Sequence, residues 1–451
     1  MVRYLAHRAW VKGAWADRVL LSVGADGRWA DVVAGASPEQ ARDALRLSGP
    51  VLPGLVNAHS HAFQRAMAGM TERSGSGEDD FWRWRDRMYR VARSITPEQL
   101  EAIATYLYGE LLQAGYTQVC EFQYLHNAPD GQAYAEPAEL SLALLRAARS
   151  AGIGLTLLPV LYMRSGFGAT GLRPDQRRFA STPDSVLRTA QTVQAQAGGD
   201  GLLHCGVALH SLRAVPEAAL HEVAAARGGM PLHIHVAEQQ QEVADCLAAH
   251  GQRPLEWLLA RAPVDAGWNL VHATQSTPAE LAAVQASGAS IVICPTTEAN
   301  LGDGIFDLAG WLGQGGCWSI GSDSHVSRSW PEELRLLEYS QRLQLRQRNI
   351  AARYGKCESS AGVLFEGALH GGTAASGLPL GGLAVGQRAD FMVLDPQAPA
   401  LLGLAPDHLL DALVFSSPSS PPAAVYVAGR LRTAPAGAAL RFEAALRALW
   451  A

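Results

Sequence analysis

The sequence predicts an α/β protein, in which a (β/α)₈ TIM-like barrel carries a small β-sandwich built from both chain ends. Three observations predict this architecture. Eight short apolar runs alternate with segments of helical periodicity between residues 51 and 374, as in parallel strands joined by helices. Both ends of the chain show strand-and-turn patterns around glycine. Histidines and carboxylates recur just after the apolar runs, where a barrel places its reactive groups.

The composition is that of an ordinary globular protein, and 451 residues exceed the usual size of one hydrophobic core. A net charge of −5 gives no general attraction to nucleic acid or to acidic membranes. We expect no membrane span and no signal peptide, because the sequence lacks an apolar run of sufficient length. Six scattered cysteines without a C-x-x-C pair predict reduced thiols and a cytoplasmic location.

Residues 1–50 and 375–451 are predicted to form one β-sandwich domain, interrupted by the barrel at 51–374. The run VLLSV at 19–23 is followed by a turn at 25–27, and similar strand-and-turn patterns recur at 381–395 and 423–432. Because chain termini often lie close together, the two β-rich segments can pair within one domain.

The predicted barrel strands are the apolar runs at 51–58, 117–122, 154–161, 202–209, 231–236, 268–273, 289–294 and 317–322. Helices are predicted at 96–111, 138–150, 183–196, 216–227, 277–287 and 332–348. The first of them begins clearly, with Thr96 as N-cap, Pro97 at the first helical position and Gln99 completing a capping box. An open doubly wound sheet is the alternative, but no G-x-G-x-x-G motif follows the first strand.

Side chains suited to metal binding and proton transfer follow the predicted strands. They are His59 and His61 (strand one), Glu121 and Tyr124 (two), His210 and Arg213 (four), His233, His235 and Glu238 (five), His272 (six), and Asp323 and His325 (eight). Because alternate residues of a strand share a face, His59 and His61 can bind one metal ion. One such histidine alone is more often simply hydrogen-bonded, and Asp323 could cap a helix. Four histidines and an aspartate at the strand ends of one barrel instead predict a metal centre.

The lysine content distinguishes a one-metal from a two-metal centre. Lysine occurs only at Lys12 and Lys356, outside the predicted middle strands, so no carbamylated lysine can bridge two ions. Three imidazoles and one carboxylate around a single divalent metal remain. Zn²⁺ suits these donors best, and Fe²⁺ or Mn²⁺ also accept them.

Several strings resemble the amidohydrolase superfamily, in its single-metal deaminase branch, over nearly the whole chain. They are HSH, HVAE, VHAT and GSDSH at strands one, five, six and eight, and GGLAVGQRADFMVLD near the C-terminus. Longer strings, HSHAFQRAMAG, FWRWRDRMY, EFQYLHN and TTEANLGDGIF, resemble the formimidoylglutamate deiminases of that superfamily. The resemblance implies hydrolysis of N-formimidoyl-L-glutamate to N-formyl-L-glutamate and ammonia in histidine degradation, by a homodimer.

The resemblance also implies which side chains bind the metal. The implied ligands are His59, His61, His235 and Asp323. It selects His235 rather than His233, because the ligand begins the HVAE string.

Three residues are implied to move or stabilise protons and charge. Asp323 would accept a proton from the attacking water, and Glu238 would deliver one to the departing nitrogen. His272 would orient the water and stabilise developing charge. The alternative for Glu238 is a carboxylate that only stabilises a helix start through the helix dipole.

The implied substrate is a small dicarboxylate, and arginine holds carboxylates through paired N–H donors. Arg85 and Arg213, the latter with His210, are the predicted carboxylate ligands, and Gln64 and Tyr124 are predicted hydrogen-bond partners. Arg85 has an alternative reading, since several arginines in FWRWRDRMY would equally give a solvated basic helix.

Two other functions stay open at this point. A single-metal deaminase of a purine, pyrimidine or triazine ring would keep the same metal ligands but favour an apolar, aromatic pocket. A catalytically silent barrel serving as an assembly scaffold would be expected to lose ligands, whereas the sequence keeps them all.

Overall fold

A computed structural model describes residues 1–72, 81–416 and 420–451, and it confirms the predicted fold class. The strands are β1 (Val2–Val11), β2 (Ala14–Val23), β3 (Trp29–Val33), β4 (Leu45–Arg46), β5 (Val51–Pro53), β6 (Leu55–Ser60), β7 (Tyr116–Gln123), β8 (Gly154–Leu161), β9 (Leu203–Cys205), β10 (Val207–Ser211), β11 (Leu232–Val236), β12 (Trp268–His272), β13 (Ser290–Ile293), β14 (Trp318–Ile320), β15 (Phe391–Val393), β16 (Ala424–Val427) and β17 (Arg430–Arg432).

The helices are α1 (Phe81–Ser94), α2 (Pro97–Ala114), α3 (Glu139–Ala151), α4 (Pro183–Ala197), α5 (Glu217–Ala226), α6 (Gln240–His250), α7 (Pro254–Arg261), α8 (Pro278–Ser287), α9 (Pro295–Leu301), α10 (Leu308–Gly313), α11 (Trp330–Leu345), α12 (Ile350–Tyr354), α13 (Ser360–Ser376), α14 (Leu409–Phe415) and α15 (Ala438–Trp450). Short 3₁₀ helices span Ala62–Met67, Pro174–Phe179 and Pro406–His408. Among the described helices, none is long and apolar enough to cross a bilayer.

The barrel wall is a parallel sheet in the order β6-β7-β8-β10-β11-β12-β13-β14, with β9 beside β8. Its strands are buried because one face lines the barrel interior and helices cover the other, which explains their continuous apolar runs. The capping box at Thr96 is confirmed by reciprocal bonds of 2.9 and 3.2 Å with Gln99. The other helices, including α6 and α7 between β11 and β12, are additional to the six predicted ones.

The barrel closes at a seam where β14 and the residues after it meet β6. The described pairing there is one isolated parallel bridge, between Ser60 and Asp323. Two backbone bonds reinforce it, from Asp323 N–H to the His59 carbonyl (3.0 Å) and from His61 N–H to the Asp323 carbonyl (3.2 Å). The seam therefore brings the first and the last predicted metal ligands together.

The other sheet joins both ends of the chain, in the order β17-β16-β15-β5-β1-β2-β3, with β4 beside β1. Its own aromatic core includes Phe391, whose ring stacks on Tyr426 with centroids 4.3 Å apart and contacts Tyr4 and Trp29 at 5.5 Å. The predicted domain boundaries stay a prediction.

The first predicted barrel strand, 51–58, is split between the two sheets. Strand β5 pairs with β15 of the terminal sheet, whereas β6 begins the barrel. Gly54 makes this division sterically feasible, because a Cβ at that position would clash with the side chain of Thr117. The chain thus passes from the terminal sheet directly into the strand that carries His59.

The C-terminal helix α15 packs against the barrel next to the loop that follows β6. Trp450 donates a hydrogen bond from its indole Nε1 to the carbonyl of Ala66 (3.1 Å), within the 3₁₀ helix that carries Gln64. Phe442 stacks on Tyr106 of α2 with ring centroids 4.4 Å apart. The far end of the chain therefore supports a segment of the candidate site.

Candidate metal and active site

His59, His61 and His235 direct ring nitrogens at a common point inside the barrel mouth. The Nε2 atoms of His59 and His61 are 3.1 Å apart, and those of His59 and His235 are 2.9 Å apart. Across the seam, Oδ1 of Asp323 lies 3.2 Å from His61 Nε2 and 3.5 Å from His59 Nε2. The four side chains are buried, so the structure brings together all four predicted ligands.

Hydrogen bonds on the far side of the rings decide which nitrogens can bind a cation. Nδ1 of His61 lies 3.0 Å from the carbonyl oxygen of Phe122, and Nδ1 of His235 lies 2.9 Å from that of His210. Each Nδ1 must therefore carry the hydrogen of a neutral ring, which leaves a lone pair on Nε2. Burial lowers the pKa of His61 to about 3, which keeps its ring neutral.

Both lone pairs lie about 3 Å from Nε2 of His59, and that of His61 lies 3.2 Å from Asp323, an arrangement that is repulsive unless a cation lies among the donors. The donor set thus fits a divalent metal. Burial raises the pKa of Asp323 to about 7, and a cation beside the carboxylate would offset this by favouring its ionised form. Asp323 also has a left-handed backbone (φ 45°), a strained conformation that concentrates at functional sites in proteins.

His233 points away from this centre, although it lies on the same strand as His235. Its Nε2 is 2.8 Å from the carbonyl oxygen of Ala375 in α13. Residues two apart share a face of β11, but His233 lies ~6.6 Å earlier along the strand, and its bond to Ala375 holds the ring there.

Glu238 and His272 lie beside the ligand cluster. Nε2 of His272 is 3.8 Å from Oε1 of Glu238 and 3.8 Å from Oδ2 of Asp323. Burial lowers the pKa of His272, but the carboxylates of Glu238, Glu298 and Asp323 outweigh it and raise that pKa to about 10. The arrangement therefore places a cationic ring and a carboxylate next to the point where the four ligands converge.

Glu121 and His325, also picked out at strand ends, belong to a buried polar network behind the ligands. Asn57 exchanges two bonds with Ser322, to its Oγ (2.7 Å) and from its N–H (2.9 Å). His325 bridges Ser322 Oγ (3.0 Å) and Ser60 Oγ (3.2 Å), and Ser60 donates to Glu121 at 2.6 Å. This network spans the seam and holds the ligand-bearing strand ends at a defined separation.

Gly321 provides a test of the seam, because it lies against His59. A Cβ at Gly321 would lie 2.6 Å from the His59 Cβ and 2.8 Å from its backbone nitrogen. We expect Gly321→Ala to displace His59 and weaken Zn²⁺ binding by ~10- to 100-fold, as for other residues that orient a ligand. Calorimetric titration of metal-free protein with Zn²⁺ measures this change.

Gly201→Ala is the matched control, because a Cβ there would meet nothing within 4 Å. It should bind Zn²⁺ like the parent protein. Equal Zn²⁺ affinity of the two alanine variants would show that the seam relaxes without moving His59.

The predicted substrate-binding residues Gln64, Arg85, Tyr124, His210 and Arg213 all line one cavity beside the ligands. Gln64 donates to the Tyr124 hydroxyl at 3.0 Å. Arg85 is half-buried, whereas Arg90 and Arg93 on the same helix are exposed, so helix α1 presents Arg85 to the cavity and the solvated-helix reading does not apply to it. Arg85 and Arg213, together with Arg164, give this side of the site a positive charge.

Sequence reasoning missed several residues that shape this cavity. No candidate residue was predicted after β8, yet Tyr162 lines the cavity there. Its hydroxyl accepts a hydrogen bond of 3.0 Å from the side-chain amide of Gln176. Arg164 donates to the carbonyls of Leu212 (2.9 Å) and Arg213 (3.0 Å) and thereby anchors the loop that carries Arg213. No pattern marks Arg164, because its partners are backbone carbonyls almost 50 residues away.

Glu298 is a second omission, although it lies in the TTEANLGDGIF string. Its Oε1 is 3.1 Å from Nδ1 of His272 and accepts a bond of 2.9 Å from the backbone N–H of Cys294. The sequence did contain a signal for Glu298. It is a carboxylate just after the seventh predicted strand, and no candidate site residue had been assigned to that strand.

The chain matches the model of the Amidohydrolase family over residues 51–432. It is 49% identical to formimidoylglutamate deiminase of Pseudomonas aeruginosa, over 95% of this chain and 94% of that protein. The crystal structure of an amidohydrolase from Brucella melitensis is 41% identical, with a TM-score of 0.94 over 100% of both chains. An adenosine deaminase from Xanthomonas campestris with bound zinc has the same fold, at 22% identity and a TM-score of 0.80 over 100% of this chain and 98% of that one.

Proposed function

The chain belongs to the amidohydrolase family, and from that membership we propose that it is a metal-dependent deiminase of N-formimidoyl-L-glutamate. Water adds to the formimidoyl carbon, the bond to the terminal nitrogen breaks, and N-formyl-L-glutamate and ammonia are released. The observation that carries this proposal is a cavity in which Arg85 and Arg213 face a four-ligand metal site. The near full-length likeness to the Pseudomonas aeruginosa deiminase supports the same substrate.

The metal would be held by three imidazoles and one carboxylate. These ligands are His59, His61, His235 and Asp323. When bound, the ion supplies Lewis acidity, which lowers the pKa of water toward ~7 and so allows attack at neutral pH. We propose Zn²⁺ before Fe²⁺, because Zn²⁺ suits imidazole and carboxylate donors in a site open to water.

The protein's own side chains handle the protons. Oδ1 of Asp323 faces the imidazoles, so Oδ2 is available to accept the proton of the attacking water. Glu238 delivers a proton to the terminal amidine nitrogen, which then departs as ammonia. His272, with Nε2 near both carboxylates, donates toward the charge that develops on the reacting group.

The cavity suits a flexible dianion better than a flat neutral ring. Arg85 and Arg213 each offer a fork of N–H donors to a carboxylate, and burial strengthens such charge-assisted bonds. Gln64 and Tyr124, already bonded to each other, can turn toward the amidine or the amide of the glutamate. Aromatic rings also line the cavity, so the arginines are what favour the diacid over a purine, pyrimidine or triazine.

The experiment that tests the function is a comparison of ammonia release from N-formimidoyl-L-glutamate, guanine, cytosine and an aminotriazine by zinc-loaded protein. We expect turnover of the linear amidine alone. Comparable kcat/KM for any of the rings would overturn the proposal in favour of a ring deaminase. Absence of ammonia from all four, despite bound zinc, would favour the scaffold.

Arg213→Met is expected to raise KM for N-formimidoyl-L-glutamate by ~10- to 100-fold, because a charge-assisted pair of hydrogen bonds is lost. Metal content should not change, since Arg213 is outside the ligand set. Steady-state kinetics with the full substrate and with two analogues, each lacking one carboxylate, measure the effect.

The analogues locate the contact of Arg213. With the analogue that lacks its carboxylate partner, parent and Arg213→Met should differ little, whereas the other analogue should show the full loss. An equal loss with both analogues would mean that Arg213 acts through the fold instead of the substrate.

The predicted homodimer, the cytoplasmic location and a place in histidine degradation stay predictions. The size of the protein in solution, from light scattering, addresses the first of them.

A further inference from the structure

Glu298 is a buried carboxylate that does not line the substrate cavity, yet its side chain contacts His272. It sits in α9, immediately after the seventh barrel strand, and is 4% exposed. Glu298 is neither a predicted metal ligand nor a predicted proton-transfer residue, and its contacts indicate a different role.

The carboxylate is held in place before any substrate binds. Oε1 accepts the backbone N–H of Cys294 at 2.9 Å, and the backbone carbonyl of Glu298 accepts the N–H of Asp303 at 2.9 Å. The same Oε1 lies 3.1 Å from Nδ1 of His272. A rigid acceptor therefore faces one nitrogen of the ring that the mechanism uses.

The backbone at His272 is in an unusual conformation. His272 and Ala273 both have left-handed φ values, of 72° and 50°, where residues with a Cβ are strained. Such strain concentrates at functional sites in proteins. With Nδ1–H directed to Glu298, Nε2 is directed at the space between Glu238 and Asp323, 3.8 Å from an oxygen of each.

We propose that Glu298 is a positioning residue, which holds His272 with Nδ1–H toward strand seven and Nε2 toward the reacting group. The role rests on the proposed deiminase reaction. A carboxylate behind an imidazole accepts its N–H and so holds the ring in one orientation. Glu298 itself touches neither the ligand cluster nor the cavity.

Two other roles for Glu298 give different results. It could act only by stabilising the start of α9, through its hydrogen bond from the backbone N–H of Cys294. Alternatively, His272, Cys294 and Glu298 lie within 4.8 Å of one another, close enough to bind a second ion. A metal analysis distinguishes the latter, since the positioning role requires one zinc per chain and two would overturn it.

Glu298→Gln separates positioning from bracing, because its amide oxygen can still accept both N–H groups but carries no charge. We expect kcat to fall by ~10- to 100-fold, as for other residues that orient a reactive ring, with KM and zinc content nearly unchanged. In Glu298→Ala both bonds are lost, and the loss of kcat should be larger.

Glu333→Gln is the matched control. Glu333 is also a fully buried carboxylate, and it braces the same helix by accepting the N–H (2.9 Å) and hydroxyl (2.6 Å) of Thr296. Its carboxylate is bonded to Thr296 and not to His272, so its variant should keep most of kcat. An equal fall of kcat in Glu298→Gln and Glu333→Gln would mean that both residues act only by stabilising α9.

A spectroscopic readout tests the contact without any substrate. In zinc-loaded protein with ¹⁵N-labelled histidine, the Nδ1 proton of His272 should be strongly deshielded by the carboxylate. Its NMR signal should move upfield in Glu298→Gln, vanish in Glu298→Ala and stay in place in Glu333→Gln. An unmoved signal in Glu298→Gln would overturn the positioning role, whatever substrate the parent protein hydrolyses. If the parent protein does not hydrolyse N-formimidoyl-L-glutamate, only the proposed function is overturned.

Discussion

His59→Ala should lose bound metal and turnover together. His59 is at the centre of the ligand set, because its Nε2 lies 3.1 Å from that of His61, 2.9 Å from that of His235 and 3.5 Å from Asp323. An alanine would leave the remaining donors without the ligand that joins them. Since a metal at such a site is worth several kcal/mol to the transition state, we expect kcat/KM to fall by ~10³-fold or more.

Metal content from mass spectrometry and ammonia release, measured on one preparation, check this expectation. His233→Ala is the matched control, because His233 is an equally buried histidine of another barrel strand but is bonded to the carbonyl of Ala375. It should lose stability while retaining zinc. A His59→Ala protein with full zinc occupancy and parental turnover would remove His59 from the site.

Glu238→Gln should keep the metal and lose most of kcat. Glu238 lies beside His272 and outside the four converging donors, so zinc occupancy should match that of the parent. The amide has the size of the carboxylate but cannot deliver a proton to the departing nitrogen. General acid–base groups contribute ~10²- to 10⁴-fold, and we expect a loss of kcat in that range with KM little changed.

Glu238→Asp completes this test, because it keeps the acid and shortens its reach. Its kcat should lie between those of the parent and Glu238→Gln. Zinc-loaded Glu238→Gln with near-parental turnover would assign the proton transfer to another group, of which Asp323 is the nearest candidate.

The architecture was predictable because its signals are local in the chain. Apolar runs alternating with helical segments indicate parallel strands, and HSH places two imidazoles on one face of one strand. Every predicted ligand and substrate-binding residue then lies at one rim, because parallel strands of a barrel end on the same side. The choice of His235 over His233 followed from a resemblance, and the structure supplies its physical basis in the bond of His233 to Ala375.

Other features depend on contacts that no local pattern encodes. Asn57 meets Ser322 across 265 residues of chain, and only closure of the barrel makes them neighbours. Glu121 and His325 looked like members of the reactive set, but strand register directs them into the network behind it. The run at 51–58 looked like one strand, because its apolar pattern continues through the glycine at which the chain changes sheets.

By itself the sequence determined the fold class, the alternation of strands and helices in the barrel, and the candidate donors and arginines of the site, since residue identity and short-range periodicity decide these. Only the tertiary structure decided which donors converge, which face each strand presents at the seam and that Glu298 stands behind His272. The physical reason is that convergence depends on strand register and barrel closure, which arise from packing between segments far apart in the chain.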